Sequence, residues 1–223
     1  MELRALFAPG RCLSCRAAGP PACEACRAAL QLLTGPACDR CGRPTERPVA
    51  ECRECAGRRL QFASARAAVA LEGPARGLVR AWKDRGLRGA ADVAAELVTA
   101  VVAPPPAGVV LVPVPALAAR AAWRGDDGAR ALAERLAVAW GGEVAAPLRR
   151  DGARPQRGLD RAGRRRNARA QFRAVATVTG AVVLVDDVYT TGATVKAATR
   201  AIVRAGASAV DVLVFARVVR EPG

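Results

Sequence analysis

Eight cysteines, all before residue 56, constrain this chain more than any other feature. They form four C-x-x-C pairs: Cys12/Cys15, Cys23/Cys26, Cys38/Cys41 and Cys52/Cys55. Two thiolates spaced by two residues can bite one tetrahedral Zn²⁺, and a second pair closes the shell, so four pairs supply two four-thiolate sites. A disulfide framework fits poorly, because no export signal precedes the pairs and a reducing compartment keeps thiols free. A redox dithiol does not repeat four times in so short a segment. Closed four-thiolate sites leave no position for water, so the two zincs are expected to be structural. The segment has few large apolar residues, and metal must stand in for a core. Sequential pairing is expected, the first two pairs on one zinc and the last two on the other, with a cross-braced arrangement as the alternative.

Beyond "AGRRLQ" the texture changes, which sets a boundary near residue 60. With 223 residues the chain has room for one or two domains. Residues 65–71 read as a strand closed by the turn "EGPA", and "ARGLVRAWKDRG" as a helix stopping at Gly86. "AADVAAELVTAVV" places Val93, Leu97 and Val101 on one helical face, and "APPPAG" breaks it. Residues 109–115 form an apolar run of strand length that leaves the sheet at Pro113 and Pro115. "DDGARALAERLAVAW" reads as a helix capped by Asp126 or Asp127, with Ala129, Leu132, Leu136 and Trp140 in line. "EVAAPLRR" is a weaker strand. Residues 181–185 are the strongest strand, "TVKAATRAIVRAG" a helix ended by Gly206, and residues 209–215 a further buried strand. Strands alternating with helices predict an α/β fold with a parallel sheet.

In such sheets ligands gather beyond the carboxyl ends of the strands. There the sequence reads "VVLVDDVYTTGAT", with the strand expected to end at Val185 and a loop to run to about Thr194. Backbone N–H groups at the following helix N-terminus, helped by Gly192, suit an anion. The hydroxyls of Thr190, Thr191 and Thr194 add donors. Asp186 and Asp187 would repel phosphate, but they accept hydrogen bonds from vicinal hydroxyls and can hold Mg²⁺ directly or through water. A ribose bearing a 5′-phosphate meets both demands. Otherwise, the acids merely close a turn and the threonines cap a helix.

This stretch resembles the phosphoribosyl pyrophosphate (PRPP) motif of type I phosphoribosyltransferases: apolar strand, two acids, then T-T/S-G-x-T/S. The resemblance extends along nearly the whole chain. Four zinc-ligand pairs, then "WKDRG", "LVPVP", "RGDDGA", "QRGLDRAGRRRNARAQF" and "VDDVYTTGAT" follow the order of the ComF family, which includes competence-associated proteins with a double zinc ribbon and a phosphoribosyltransferase domain. It implies a ribbon over residues 1–60 and a phosphoribosyltransferase-like domain over 61–223, with a type I parallel sheet flanked by helices. It implies that PRPP with Mg²⁺ binds at Asp186, Asp187, Tyr189, Thr190, Thr191, Gly192, Ala193 and Thr194, Tyr189 lining the ribose pocket. Lys83, followed by Arg85 and Gly86, matches the family's K-x-x-G element. Lys83, Asp186 and Asp187 become the catalytic candidates. Val112, Pro113, Val114 and Pro115 match V-P-V/I-P, the pyrophosphate-side loop. Gln156, Gly158, Leu159, Arg161, Arg165, Asn167 and Phe172 match the segment before the PRPP strand. One element departs: the family's R-G-F-N-Q-A is Arg124-Gly125-Asp126-Asp127-Gly128-Ala129 here, which alters any acceptor or partner site those side chains shape.

Histidine is absent, which excludes a histidine triad, general base or metal ligand. The formal charge is +15, and 33 of the 35 basic residues are arginine. Such a charge is compatible with nucleic acid or polyphosphate partners. Ten arginines fall between Arg149 and Arg173 against two aspartates. Three readings stay open there: a solvated loop, a flap closing over pyrophosphate with Arg161 or Arg165, or a track for single-stranded DNA. Trp140 is expected in the core; Trp82 and Trp123 stand near the predicted site loops and fit either role. No signal peptide and no membrane span are visible, so a cytoplasmic protein is expected. Three functions compete: a phosphoribosyltransferase-like PRPP-binding protein whose acceptor the sequence does not name, a non-enzymatic single-stranded-DNA accessory of natural transformation with PRPP as regulator, and a scaffold whose ribbons dock a competence or other protein partner.

Overall fold

A computed structural model describes residues 10–85, 89–116, 128–150 and 172–219. The cysteine-rich segment carries one short helix, α1 (Glu24–Ala28), and isolated bridges such as Ala37 with Pro44. The remainder follows the order β1 (Ala65–Ala70), α2 (Gly73–Arg85), α3 (Gly89–Val101), β2 (Val110–Pro113), α4 (Gly128–Trp140), β3 (Glu143–Val144), β4 (Leu148–Arg150), β5 (Phe172–Ala174), β6 (Ala181–Tyr189), α5 (Ala193–Arg204) and β7 (Ala209–Arg217). Five strands form one sheet in the order β1-β7-β6-β2-β3, with every pairing parallel. β4 and β5 make a separate antiparallel pair.

The central strands are apolar on both faces because both faces are covered. Along β6, Val183 and Val185 pack with Leu132, Leu136 and Phe215 under α2, α3 and α4. Val182 and Leu184 pack on the other face with Val195, Ala198 and Ile202 of α5, beside Phe62 and Phe172. From β2 the chain crosses to the β3 edge, whereas from β6 it crosses toward β7 and the β1 edge. The strand order therefore reverses between β2 and β6, which opens a crevice at their carboxyl ends.

Several expected boundaries move. The strand expected to end at Val185 runs on to Tyr189, because β7 keeps pairing with it through Tyr189 opposite Arg217. Asp186 and Asp187 therefore belong to the strand, and the loop shrinks to residues 190–192. "EVAAPLRR" is two strands, β3 in the parallel sheet and β4 in the antiparallel pair. Gly73 and Pro74, read as turn, open α2, where a proline lacking an N–H fits the first turn. Trp140 ends α4 half-buried against the core rather than inside it. Among the described residues, no helix is long and apolar enough to cross a membrane.

The cysteine-rich segment is fastened to the sheet. β1 is an edge strand, and residues 31–33 run along it: Leu33 N–H donates to Ala68 O at 2.9 Å and Ala70 N–H to Gln31 O at 2.9 Å. Leu32 bridges Val69 in antiparallel sense. Farther along, Arg27 grips Glu96 of α3 with bonds of 2.6 and 2.8 Å.

Candidate functional site

The cysteines gather into two groups of four, Cys12/Cys15/Cys23/Cys26 and Cys38/Cys41/Cys52/Cys55, with sulfurs within 4.8 Å of one another in each. This is the sequential pairing. Sulfurs lie 3.6 Å apart between Cys15 and Cys23, and 3.5, 3.5 and 3.8 Å apart for Cys38–Cys55, Cys41–Cys52 and Cys52–Cys55. Disulfides are far shorter, at about 2.05 Å. Four Zn–S bonds of about 2.3 Å at tetrahedral angles put sulfurs about 3.8 Å apart, so these sulfurs fit two structural Zn²⁺.

The backbone prepares one thiolate in each group. Burial opposes the Cys12 thiolate, but N–H groups of Cys23, Cys15 and Ser14 outweigh it and hold the pKa at about 6. Cys38 is likewise drawn down to about 7, against burial, by N–H groups of Cys41, Arg40 and Cys52. The Cys52 amide reaches Cys38 Sγ at 3.3 Å. Burial and neighbouring thiols push Cys26 up to about 12, and Cys55 is raised as well. These later thiolates need the cation's own charge. The two groups differ in exposure: Cys15 is exposed and Cys23 half-buried, whereas all four cysteines of the second group are buried.

At the crevice, Asp186 and Asp187 project to opposite faces of β6, as successive strand residues must. Asp187 points toward α2, where its Oδ1 lies 3.1 Å from Lys83 Nζ. Asp186 is half-buried, and its Oδ1 accepts the Asp187 N–H at 2.9 Å. Burial first, then the charge of Asp187, raises the Asp186 carboxyl well above the usual carboxylate range; that N–H and Lys83 pull the other way. The turn follows at once. Gly192, with φ 73° in the left-handed region, starts α5, and no side chain closes the start with a cap bond from that position. Thr190 and Thr191 are exposed and Thr194 half-buried. Thr191 Oγ1 lies 3.4 Å from the Ala193 amide. A Cβ on Gly192 would strike the Tyr189 hydroxyl, so the turn lies against the buried tyrosine ring.

β2 ends just before the level of the acidic pair, with Pro113 opposite Val185. Val112 and Val114 are buried, and the Val114 amide donates to Val185 O at 2.8 Å. Pro113 and Pro115 have no amide to offer. The fold thus sets Lys83 against Asp187 and Val112–Val114 alongside the residues just before the acidic pair, with the turn at 190–192 following where β6 ends. Arg161, Arg165, Gly86, Trp123, the segment 124–127, and Gln156, Gly158, Leu159 and Asn167 lie outside the described residues. Phe172 is buried in β5, with Arg150 stacked 5.2 Å from its ring centroid. Trp82 is buried 6.2 Å from Phe215, and its indole N–H has no hydrogen-bond partner among the described residues. Of two hollows of about 150 and 330 Å³, the first lies beside Trp140 and the second between Val112 and Pro147, and neither includes the acidic pair.

Sequence reasoning passed over Arg217, which closes β7 buried at the foot of Tyr189. The available signal was a charged residue ending a strand that is otherwise apolar. Comparison with protein families matches a double zinc ribbon domain over residues 3–56. No curated protein matches the chain. The N-terminal segment is therefore a double zinc ribbon with two four-cysteine centres, joined to an α/β domain.

Proposed function

We propose that the crevice between β2 and β6 binds PRPP with Mg²⁺, and that the chain is a phosphoribosyltransferase-like protein of the kind the ComF resemblance implies. One observation carries this reading: two carboxylates near the carboxyl end of β6 stand next to the start of α5, whose N-cap is a glycine with no side chain, at the point where the strand order reverses. Amides at the start of α5 and the hydroxyls of Thr190, Thr191 and Thr194 would hold the 5′-phosphate. Asp186 and Asp187 would accept hydrogen bonds from the ribose hydroxyls. Lys83, tethered to Asp187, has a half-exposed ammonium to set against the pyrophosphate. Mg²⁺ supplies charge neutralisation of pyrophosphate when bound.

In transfer, an acceptor nucleophile forms a bond to C1 of the ribose. The C1–O bond breaks, and pyrophosphate leaves with the electron pair. With no histidine in the chain, the acceptor's proton passes to a carboxylate, to water or to the leaving group. Lys83 acts on charge that grows as the bond breaks, which is where electrostatic stabilisation lowers a barrier.

Calorimetric titration of PRPP with Mg²⁺ tests the reading. Wild type is expected to bind saturably and Asp186→Ala/Asp187→Ala to bind nothing. No binding by folded, zinc-loaded wild type would refute it. A second reading, a single-stranded-DNA accessory of transformation, draws support from the α5 surface. Lys196 has Arg200 and Arg58 as cationic neighbours, and burial first, then their charges, lower its pKa. Steeply salt-dependent DNA binding that survives the double alanine change would favour it.

A further inference from the structure

Arg217 is 2% exposed. Its Nη1 donates to the Cys41 carbonyl, and its Nη2 stands 3.8 Å from Glu54 Oε2. Its guanidinium carbon lies 5.2 Å from the centroid of the Tyr189 ring. Cys41 is a ligand of the second thiolate centre, and Glu54 sits between its ligands Cys52 and Cys55. Both knuckles of that centre therefore hold the same guanidinium. Tyr189 itself is 6% exposed, and its hydroxyl end lies against Gly192, the residue that starts α5.

We propose that Arg217 is a positioning residue that makes the anion-binding turn before α5 depend on metal at the second thiolate centre, so that losing this metal weakens anion binding at residues 190–194. The ligand effect rests on the phosphate reading of that turn; the movement of Tyr189 does not. A buried guanidinium has five donors to satisfy, and its Nε already lacks a partner among the described residues. When the metal leaves, the Cys41 knuckle relaxes and the Nη1 bond goes with it. An unpaired buried charge is strongly unfavourable, so the guanidinium must turn toward new partners. Tyr189 shares its face and must shift with it, and the turn rests on Tyr189. The first centre meets α2 and α3 instead of Tyr189: Ser14 crowds Gly77 of α2, and Pro21 lies beside Gly89 of α3.

Tyr189 is the sole tyrosine of the chain, so 3-fluorotyrosine labelling gives one ¹⁹F resonance. Wild type, Cys15→Ser, Cys55→Ser and Arg217→Met are compared for zinc per chain, for that resonance and for PRPP–Mg²⁺ affinity. Arg217→Met is expected to keep both zincs, move the resonance and weaken PRPP binding at least fivefold. Cys55→Ser should move the resonance on losing one zinc, whereas Cys15→Ser should lose one zinc and leave it in place. Combining Cys55→Ser with Arg217→Met should weaken binding no further than Arg217→Met alone, since both act through one contact. Arg217→Lys, which keeps the charge and a donor, should restore most of the resonance position and decides the matter if Cys55→Ser does not fold. An unmoved resonance in two-zinc Arg217→Met, or equal shifts in Cys15→Ser and Cys55→Ser, overturns the proposal. If no protein binds PRPP, the phosphate reading fails while the resonance still decides the coupling.

Discussion

At the scale of single residues, Asp186 sets the proposed binding against stability. Its raised pKa means that the folded state holds a proton more tightly than the unfolded chain does. Between the ordinary carboxylate value and the raised one, stability therefore falls as pH rises, and the full penalty is present above that window. Asp186→Asn removes the penalty. The variant is expected to be more stable than wild type by about 1 kcal/mol near neutral pH, a common gain when a site residue is relieved. Urea midpoints between pH 5.5 and 8, where thiolate centres keep zinc, should show an advantage that never shrinks with rising pH. A wild type as stable as the variant across this range would mean that the carboxyl is not held as described. Gly192→Ala tests the turn. It places a Cβ at φ 73° against the Tyr189 hydroxyl, and should destabilise by about 1–3 kcal/mol in denaturant melts. Unchanged stability would show that the turn has another conformation. The acids and threonines were legible because their chemistry is local and their order is fixed. Arg217 was not, because its partners are a carbonyl and a side chain more than a hundred residues away.

At the scale of elements, the two thiolate centres share a ligand set but not an environment. Cys15 is exposed in the first, while every ligand of the second is buried. A chelator or oxidant must reach a sulfur or the metal to begin exchange, so access should order the rates. Zinc release to a chromogenic chelator is expected in two phases of about one equivalent each, the first at least several-fold faster. Cys15→Ser should retain only the slow phase. A single phase with both metals leaving together would contradict this ordering. The cysteine spacing announced both centres, but not this difference, because exposure depends on what packs over each knuckle. Element length shows the same limit. The apolar run Ala181–Val185 stops at the first carboxylate, and a reading by hydrophobicity ends the strand there. β6 nevertheless continues through Asp186 and Asp187, because pairing with β7 satisfies the backbone whatever the side chains are.

At the scale of the whole molecule, alternating strands and helices made the parallel sheet readable, and the acidic pair was placed at the correct end of its strand. The strand order and the docking of the ribbon were not readable. The ribbon meets the sheet largely through main-chain atoms, such as the Leu33 amide, the Gln31 carbonyl and the Cys41 carbonyl, which every residue type possesses. That docking has a consequence. Residues 27–37 are strung between Cys26 of one centre and Cys38 of the other, and their middle part covers the free edge of β1. The metals thus hold both ends of the strap that closes the sheet. Net hydrogen bonds of about 1 kcal/mol each make two such bonds worth a change in opening of roughly tenfold or more. Removing both zincs should therefore speed amide exchange at Ala70 by that factor, while Val183–Val185 in the centre of the sheet stay protected. An uncovered parallel edge is also a template for pairing between chains, so the stripped protein should scatter light as its concentration rises. Unchanged protection at Ala70 after metal removal would show that the strap holds without its anchors, and that the ribbon and the sheet fold independently of one another.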